Sequence, residues 1–250
     1  MRALVTGASS GIGYFMAKYL ASKNIDLILV ARSNKTLEKL KKELKVNVKV
    51  IPLDLAEQKN VYKLYELTKN DSIDILINNA GFGLFGEFFE TDLNRELEML
   101  DLNIKAPHIL TKLFLKDFLK RKSGYILNVC SSAGFMAGPK LSTYYATKNY
   151  LTKLTMAINE EISRKSHNIG ISCLCPGPVN TNFNKTAKGK FSIKGLSPEY
   201  VAKYAIDKMF HKKMIIVPGI KMKLGLFFTR FIPYRLQLKI AYRIQSAKLK

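Results

Sequence analysis

Short apolar runs alternate with amphipathic segments along most of the chain. Taken together, the runs show little polar alternation, which is typical of strands buried on both faces of a sheet. They cover residues 3–5, 25–30, 46–51, 73–77, 125–129, 169–174 and 214–217. The segments between them have helical periodicity and cover residues 12–23, 34–44, 57–68, 92–119, 143–163 and 198–210. This alternation predicts an α/β fold, a doubly wound and mostly parallel sheet of about seven strands with helices on both faces.

The chain shows no internal repeat and no domain boundary before about residue 218. Its 250 residues suit one domain, because α/β folds commonly reach about 200–250 residues undivided. We expect a single domain over residues 1–218 and a basic, amphipathic extension over residues 219–250. Ligands of such sheets bind beyond the carboxyl ends of the strands, so the chemistry is expected directly after each apolar run.

The charge of the chain is strongly positive. It has 41 Lys and Arg residues against 19 Asp and Glu, a net charge of +22. Eleven of the basic residues and none of the acidic ones lie in the last 43 residues, from Lys208 onward. An anionic cofactor, an anionic membrane and nucleic acid all suit such a charge. Because the basic residues form no nucleic-acid-binding motif, we expect no nucleic-acid partner.

Composition also predicts where the protein resides. The apolar runs are shorter than the ~20 residues of a membrane-spanning helix. Met1 and Arg2 lead directly into the first predicted strand, so no secretory signal is expected. Cys173 and Cys175 share one face of a predicted strand without a histidine or cysteine motif nearby, which favours packing over a metal site. We expect a cytoplasmic protein with reduced thiols and no metal.

A glycine-rich turn follows the first predicted strand and precedes the first predicted helix. Its glycines have the spacing Gly-x-x-x-Gly-x-Gly. Residues without a Cβ let a pyrophosphate approach the backbone, and the helix N-terminus supplies free N–H groups and a favourable dipole. The turn therefore predicts a nucleotide site formed by Gly7, Ser9, Ser10, Gly11, Ile12 and Gly13.

The end of the second predicted strand bears on the choice of nucleotide. NAD sites usually place a carboxylate here to hold the ribose 2′-hydroxyl, whereas this chain has Ala31 and Arg32. A cation suits the 2′-phosphate of NADP(H), with an ordinary surface arginine as the alternative. Ser33 can add a hydroxyl donor. Asp54, after the third strand, is expected near the adenine, as the N-cap of the next helix, or in both roles.

Three motifs, taken in order, carry a resemblance to a known family. They are the glycine turn of residues 6–13, the Asn-Asn-Ala-Gly of residues 78–81, and Tyr144-x-x-x-Lys148. In this order and spacing they resemble the short-chain dehydrogenase/reductase family, over about residues 2–217. The resemblance implies a Rossmann-type domain that binds NADP(H) and catalyses hydride transfer.

The resemblance extends to residues 176–181, which are similar to the family's loop at the nicotinamide end of the cofactor. It implies further cofactor contacts from Asn79, Val179 and Thr181, and an NADP(H)-dependent oxidoreductase that interconverts a ketone or aldehyde and an alcohol. Two alternatives stay open: a catalytically silent NADP-binding scaffold or sensor, and an NAD-dependent alcohol dehydrogenase.

By the same resemblance, four residues form the catalytic set. Tyr144 is the general acid/base, and Lys148 anchors the cofactor and tunes the tyrosine, since a nearby ammonium lowers the pKa of a phenol from about 10. The two side chains stand i, i+4 on one helical face. Ser131, 13 residues before the tyrosine, orients the substrate oxygen. Asn103 helps to hold a water that links the lysine to solvent.

The substrate and the assembly state are less determined. In this family the segment of residues 180–196 and the C-terminal end set the substrate. A group of aromatic residues after the fourth strand either lines an apolar pocket or packs: Phe82, Phe85, Phe88 and Phe89. These residues and the apolar tail favour an apolar substrate, steroid-like or of the 3-oxoacyl type. The helices over 92–119 and 143–163 pair with their copies in the family, so a homo-oligomer, dimer or tetramer, is expected.

The tail beyond residue 219 has two interpretations. Residues 220–232 are largely apolar, and after Pro233 three basic residues recur every fourth position: Arg235, Lys239 and Arg243. Neither piece is long enough to span a bilayer. In the first interpretation, residues 220–245 fold over the substrate cleft or pack on the domain with their lysines in solvent. In the second, they lie on the inner face of an anionic membrane, and the two interpretations are compatible.

Overall fold

A computed structural model describes residues 1–181, 183 and 195–246. Seven parallel strands form one sheet at the centre of this part of the chain. The strands are Arg2–Thr6 (β1), Asp26–Ala31 (β2), Val48–Pro52 (β3), Ile75–Asn78 (β4), Gly124–Val129 (β5), Ile169–Leu174 (β6) and Ile215–Ile216 (β7). They lie in the order β3-β2-β1-β4-β5-β6-β7, and each neighbouring pair is parallel. The predicted doubly wound parallel sheet is confirmed.

Helices follow the strands in the predicted alternation. In the described part of the chain, the α-helices are Gly11–Ser22 (α1), Asn34–Glu43 (α2), Gln58–Thr68 (α3), Leu93–Leu100 (α4), Ala106–Arg121 (α5), Ser142–Ser163 (α6), Pro198–Phe210 (α7), Ile220–Phe228 (α8) and Tyr234–Ser246 (α9). Several begin at residues that suit an N-cap. Ser33 accepts the Thr36 N–H at the start of α2, and Asp92 accepts the Arg95 N–H at the start of α4.

The core has one layer on each face of the sheet. Alternate residues of β1 point to opposite faces, so Ala3 and Val5 join one hydrophobic cluster while Leu4 joins the other. The first cluster includes Ile206 of α7, and the second includes Phe114 of α5. All three β1 residues are fully buried, which explains why the strand lacks polar alternation.

The long helix predicted over 92–119 differs from the structure. It is divided by a π-helical segment, Asp101–Lys105, that lies between α4 and α5. Asn103 belongs to this segment and is 1% exposed. The wider i→i+5 turn breaks the 3.6-residue pattern and changes which side chains face inward, a feature that periodicity alone does not reveal.

The C-terminal extension folds back on the domain as two helices. A 3₁₀ turn, Thr229–Phe231, connects α8 to the segment before α9. Gln237 of α9 donates to the carbonyl oxygens of Thr229 and Ile232, at 2.8 and 2.7 Å, and so fixes the angle between the two helices. No helix in the described residues is both long enough and apolar enough to cross a membrane.

Candidate active site

The strand order reverses between β1 and β4. From this point the chain winds in opposite directions, towards β3 on one side and β7 on the other. A crevice forms at the carboxyl ends of strands where the order reverses in this way. A cavity of about 710 Å³ lies there, and its wall includes the glycine turn, the end of β2, and residues of α6.

The glycine turn packs tightly on the end of β4. Gly7 and Gly11 have φ values of 65° and 56°, which favour glycine over residues with a side chain. A Cβ at Gly13 would overlap the side-chain nitrogen of Asn79 and the carbonyl oxygen of Gly7. A Cβ at Gly7 would lie 2.8 Å from the same nitrogen. The spacing of the glycines therefore reflects close backbone packing as well as access for a ligand.

Asn79 is the residue that holds this turn in place. Its Nδ2 donates to the carbonyl oxygens of Thr6 and Gly7, at 3.0 and 3.1 Å. In return, Oγ1 of Thr6 accepts the backbone N–H groups of Asn79 and Ala80, at 2.9 and 3.1 Å. Asn79 lines the cavity as predicted, but both its amide N–H groups are used within the protein.

The start of α1 offers groups that suit a phosphate. Ser10 is the N-cap, and its side chain makes no capping hydrogen bond. The first turn contains no acidic residue, so the positive end of the helix dipole is not offset. Ser9, Gly11 and Ile12 line the cavity beside it. This cradle of bare glycine backbone and free helix N–H groups fits the pyrophosphate of a dinucleotide.

Arg32 lies at the opposite end of the cavity with its side chain 70% exposed. Its guanidinium is 3.8 Å from Oδ2 of Asp54 and 3.9 Å from Oε1 of Glu98. Glu98, on α4, also pairs with Arg95. Sequence reasoning missed Glu98, because no motif signals that α4 brings a carboxylate to the end of β2.

Two of the predicted polar residues in this region have clear local roles. Asp54 lines the cavity, but it is not the N-cap of α3, which is Glu57. Instead Oδ1 of Asp54 accepts the Ala56 N–H at 3.0 Å, in a turn that precedes the helix, so the N-cap interpretation was wrong. Ser33 also lines the cavity, while its hydroxyl caps α2.

Tyr144, Lys148 and Ser131 all line this cavity. Nζ of Lys148 is 5.8 Å from the centre of the Tyr144 ring, one helical turn away on α6. Oγ of Ser131 accepts the Ala133 N–H at 3.1 Å, and Ser131 is near enough to Tyr144 to lower the pKa of its phenol. The structure thus brings together three of the four residues of the predicted catalytic set.

The pKa of Tyr144 differs from the expected direction. Burial raises the pKa of this phenol, and the hydrogen bond from Ser131 offsets only part of the effect. Lys148 donates to the carbonyl oxygen of Val129 at 2.9 Å, and burial lowers the pKa of its ammonium. Desolvation therefore dominates in this geometry, and the protonated phenol is favoured.

Asn103, the fourth predicted residue, is held rigidly beside the lysine. Its Oδ1 accepts the Phe82 N–H at 3.1 Å, and its Nδ2 donates to the Phe82 carbonyl at 2.8 Å and to Thr147 at 3.1 Å. A Cβ placed on Gly81 would lie 2.8 Å from Oδ1 of Asn103 and 3.6 Å from Nζ of Lys148. Both polar groups therefore flank the same small space behind the cavity.

The loop after β6 forms another part of the cavity wall. Val179 pairs with Leu196 in a short parallel bridge, and both Val179 and Thr181 line the cavity. A Cβ at Gly11 would meet the Thr181 methyl group at 3.2 Å, which places this loop against the start of α1. Of the segment predicted to set the substrate, residues 182 and 184–194 lie outside the described residues.

The four predicted aromatic residues after β4 divide into two groups. Phe82 lines the cavity, and Phe85 is buried against Leu141. Phe88 and Phe89 are 66% and 83% exposed, and neither lines the cavity. Cys173 and Cys175 are buried free thiols in a small cluster with Cys130, as the packing interpretation predicted. The described residues contain no group of metal-ligating side chains.

The cavity has a further wall that sequence reasoning did not assign to particular residues. The C-terminal helices supply it, with Met222, Gly225, Leu226 and Thr229 from the α8 region and Ala241, Ile244 and Gln245 from α9. Gln245 is 3% exposed, and its Nε2 donates to the Tyr145 hydroxyl at 2.8 Å. Its Oε1 has no hydrogen-bond partner among the described residues. The sequence offered no signal for Gln245 in particular, since α9 also contains Gln237.

The comparison with family models decides the assignment. The model described as short chain dehydrogenase matches residues 1–190. The chain belongs to the short-chain dehydrogenase/reductase family. A relative from Drosophila melanogaster, named dehydrogenase/reductase SDR family protein 7-like, is 30% identical over 99% of this chain and 82% of its own length. Very-long-chain 3-oxoacyl-CoA reductase from Anas platyrhynchos is 32% identical over 76% of this chain and 63% of its own length.

Solved structures of short-chain dehydrogenase/reductase proteins share the fold. A short-chain dehydrogenase from Sphingobium yanoikuyae, in complex with NADPH, has a TM-score of 0.82 and 27% identity, covering 88% of each chain. A bulky-bulky ketone specific alcohol dehydrogenase from Comamonas testosteroni has a TM-score of 0.78 and 29% identity, covering 92% of this chain and 91% of its own. The chain is therefore an oxidoreductase of this family by sequence and by architecture.

Proposed function

We propose that the protein is an NADP(H)-dependent oxidoreductase that interconverts a ketone or aldehyde and the corresponding alcohol. One observation carries the proposal: Tyr144, Ser131 and Lys148 line the same cavity as the glycine turn, at the carboxyl edge of the sheet. A bound nicotinamide cofactor supplies or accepts the hydride. The residues of the protein position the cofactor and the substrate and transfer the proton.

The residues of the glycine turn and its surroundings would hold the cofactor. Gly7 and Gly11 would expose backbone to the pyrophosphate, while Ser9, Ser10 and the first N–H groups of α1 would donate to it. Thr181, from the loop after β6, lies beside Gly11 and would contact the cofactor near its centre. In this proposal Asn79 shapes the turn, because its amide group already bonds to Thr6 and Gly7.

Tyr144 is the proposed acid/base. In reduction it donates its phenol proton to the substrate oxygen, and in oxidation the phenolate accepts the proton from the alcohol. Burial raises the pKa of Tyr144, which keeps the phenol protonated near neutral pH and suits the reduction direction. Ser131, which lines the cavity together with this phenol, would hold the substrate oxygen against it.

Lys148 and Asn103 have supporting roles in the proposal. Lys148 would bind the cofactor ribose, and its fixed contact with the Val129 carbonyl orients the ammonium group for this. Asn103 is a positioning residue, since it holds Phe82 and Thr147 from inside the π-helical segment. Its Oδ1 and the lysine flank the space next to Gly81, where a water between them would connect the lysine to solvent.

The preference for NADP(H) over NAD(H) rests on the end of β2. Ala31 offers no carboxylate for a ribose 2′-hydroxyl, and the exposed guanidinium of Arg32 is free to approach a 2′-phosphate. Its two carboxylate neighbours, Asp54 and Glu98, are 3.8 and 3.9 Å away, so neither makes a close hydrogen bond to it. The NADPH complex of the structurally similar Sphingobium enzyme supports the same choice.

The substrate class proposed is a bulky, apolar ketone or a 3-oxoacyl compound. The substrate side of the cavity is built from apolar side chains, including Met136, Leu141, Phe183 and Leu226. The names of two relatives, a bulky-ketone alcohol dehydrogenase and a very-long-chain 3-oxoacyl-CoA reductase, support this class.

Consumption of NADPH against a panel of bulky ketones, 3-oxoacyl thioesters and small aldehydes tests the proposal. Tyr144→Phe should lower kcat by about 10²–10⁴-fold while NADPH binding is retained, because only the proton donor is lost. Tyr145→Phe, its neighbour on α6, is the matched control and should keep most of kcat. Near wild-type turnover by Tyr144→Phe would contradict the mechanism. Tight NADPH binding without turnover of any carbonyl would favour the silent scaffold instead.

A further inference from the structure

Helix α8 carries two separate apolar stripes. One stripe, which contains Met222, Leu226 and the adjoining Thr229, faces the cavity. The other follows the spacing i, i+4, i+7, i+8 and i+11 and is 51–71% exposed, and its members are Ile220, Leu224, Phe227, Phe228 and Phe231. In a soluble domain a stripe with this spacing normally faces the core. Here it faces solvent, on the side of the helix away from the enzyme.

The exposed stripe forms a continuous aromatic surface. The ring of Phe227 lies 5.5 Å from the rings of both Phe228 and Phe231. Tyr234, 81% exposed, extends the surface to the start of α9. We call this surface, formed by Ile220, Leu224, Phe227, Phe228, Phe231 and Tyr234, the outer patch. Contiguous exposed apolar residues of this kind mark a site of interaction.

Basic residues surround the outer patch. All six Lys and Arg residues of α8, the turn and α9 are exposed: Lys221, Lys223, Arg230, Arg235, Lys239 and Arg243. Within the described residues none of them forms an ion pair. The chain has no Asp or Glu after residue 207, so the extension carries no internal acidic counterpart.

These charges decide between the partners that an apolar surface can bind. A second copy of the chain, docked symmetrically on the outer patch, would bring the same basic residues face to face without an acidic partner. Nucleic acid would neutralise the charges but leave the aliphatic and phenylalanine side chains of the stripe unburied. An anionic bilayer satisfies both features, because its headgroups attract the cations and its acyl boundary takes up the apolar side chains.

We propose that α8 and α9 bind the surface of a membrane containing anionic lipids. The outer patch enters the boundary between headgroups and acyl chains, and the Lys and Arg side chains reach the phosphate groups beside it. Because the inner stripe of α8 lines the cavity, one wall of the cavity then lies next to the lipid. This contact does not depend on the proposed catalytic activity, and it combines the two interpretations of the tail given above.

Flotation of the full chain with vesicles of phosphatidylcholine, with and without phosphatidylserine, tests the proposal. We expect binding to the phosphatidylserine vesicles at low salt. Binding should fall when the ionic strength rises from 0.1 to 1 M, since the Debye length falls from about 10 Å to about 3 Å. A full chain that stays unbound on phosphatidylserine vesicles at low salt would overturn the proposal.

Matched variants test whether vesicle binding depends on the apolar side chains of the outer patch or on exposed apolar residues anywhere on the surface. Phe227→Gln combined with Phe228→Gln should weaken the vesicle partition coefficient at least tenfold. Tyr62→Gln combined with Leu67→Gln, two exposed apolar residues of α3, is the control and should change it less than twofold. Far-UV circular dichroism checks that both variants fold. Equal binding by both folded variants would contradict the role of the outer patch.

A second pair of variants tests the charges. Arg235→Gln, Lys239→Gln and Arg243→Gln together should weaken binding to phosphatidylserine vesicles at least tenfold at low salt. The control replaces three exposed lysines of α2, Lys39, Lys41 and Lys42, by Gln, and should weaken binding by less than threefold. If the wild type instead forms a dimer that Phe227→Gln and Phe228→Gln dissociate, without any vesicle binding, a second copy occupies the patch and the proposal fails.

Discussion

Replacing Gly13 with alanine tests whether the cofactor turn is built around a missing side chain. A Cβ at this position would overlap Nδ2 of Asn79 and the carbonyl oxygen of Gly7. Neither atom is free to withdraw. The amide nitrogen donates two hydrogen bonds, at 3.0 and 3.1 Å to Thr6 and Gly7, and the Gly7 oxygen belongs to the backbone of the same turn. The substitution must therefore displace the turn from the end of β4.

Three contributions make up the expected change in the free energy of unfolding of Gly13→Ala. Alanine gains about 0.5–1 kcal/mol over glycine in a helix such as α1. Overpacking costs about 1–3 kcal/mol, and weakening the two bonds of Asn79 costs about 1–2 kcal/mol more. The net loss expected in the free energy of unfolding is about 1–4 kcal/mol. Since the displaced turn forms the phosphate cradle, we expect NADPH to bind at least tenfold more weakly.

Gly225→Ala is the matched control, because Gly225 also lies in a helix but has no atom within 4 Å of its ideal Cβ. Both variants gain the same helix propensity of alanine over glycine. The difference between their free energies of unfolding therefore measures the cost of the overlap at Gly13. We expect Gly225→Ala to unfold at the same urea concentration as wild type or a higher one. Urea denaturation and titration calorimetry with NADPH measure both effects. If Gly13→Ala and Gly225→Ala have the same urea midpoint and the same affinity for NADPH, the turn does not depend on the absence of a side chain at Gly13.

Three further predictions concern the cofactor, the substrate and the assembly. Arg32→Asp should lower the ratio of kcat/KM with NADPH to that with NADH by about 10–100-fold, equivalent to about 1–3 kcal/mol; an unchanged ratio would contradict the cofactor proposal. Gln245→Leu removes the hydrogen bond through which α9 contacts Tyr145 and so loosens the C-terminal wall of the cavity; KM for a bulky ketone should rise severalfold with kcat largely kept, and an unchanged KM would show that this hydrogen bond does not shape the cavity. Size-exclusion chromatography with light scattering should show a dimer or tetramer, and a monomer at micromolar concentration would be the contrary result.

Much of the fold was predictable because the signals are local. Each buried strand appears as a short apolar run, and each amphipathic helix repeats its apolar positions every three or four residues. Right-handed crossovers then leave few topologies for alternating strands and helices. The interruption of the helix over 92–119 was not predictable in this way. Asn103 adopts its π-helical setting through hydrogen bonds to Phe82 and Thr147, which come from other parts of the chain.

The candidate site was predictable where function depends on a motif with fixed spacing. The glycine turn follows β1 as expected, and Tyr144 and Lys148 are neighbours because they lie one helical turn apart. The pKa of Tyr144 was not predictable from that spacing. The direction of the shift depends on how completely the surrounding side chains exclude water from the phenol, and burial is its largest cause.

By itself, then, the sequence determined the strand–helix order, the position of the glycine turn and the pairing of Tyr144 with Lys148, since each depends on residues close together in the chain. Tertiary structure decided which distant groups share the cavity. Glu98 meets Arg32 only because α4 passes the end of β2, and Gln245 reaches Tyr145, 100 residues away, only because α9 folds over the cavity. Such contacts depend on the packing of whole elements, and no local pattern encodes the direction in which two amphipathic helices fold back.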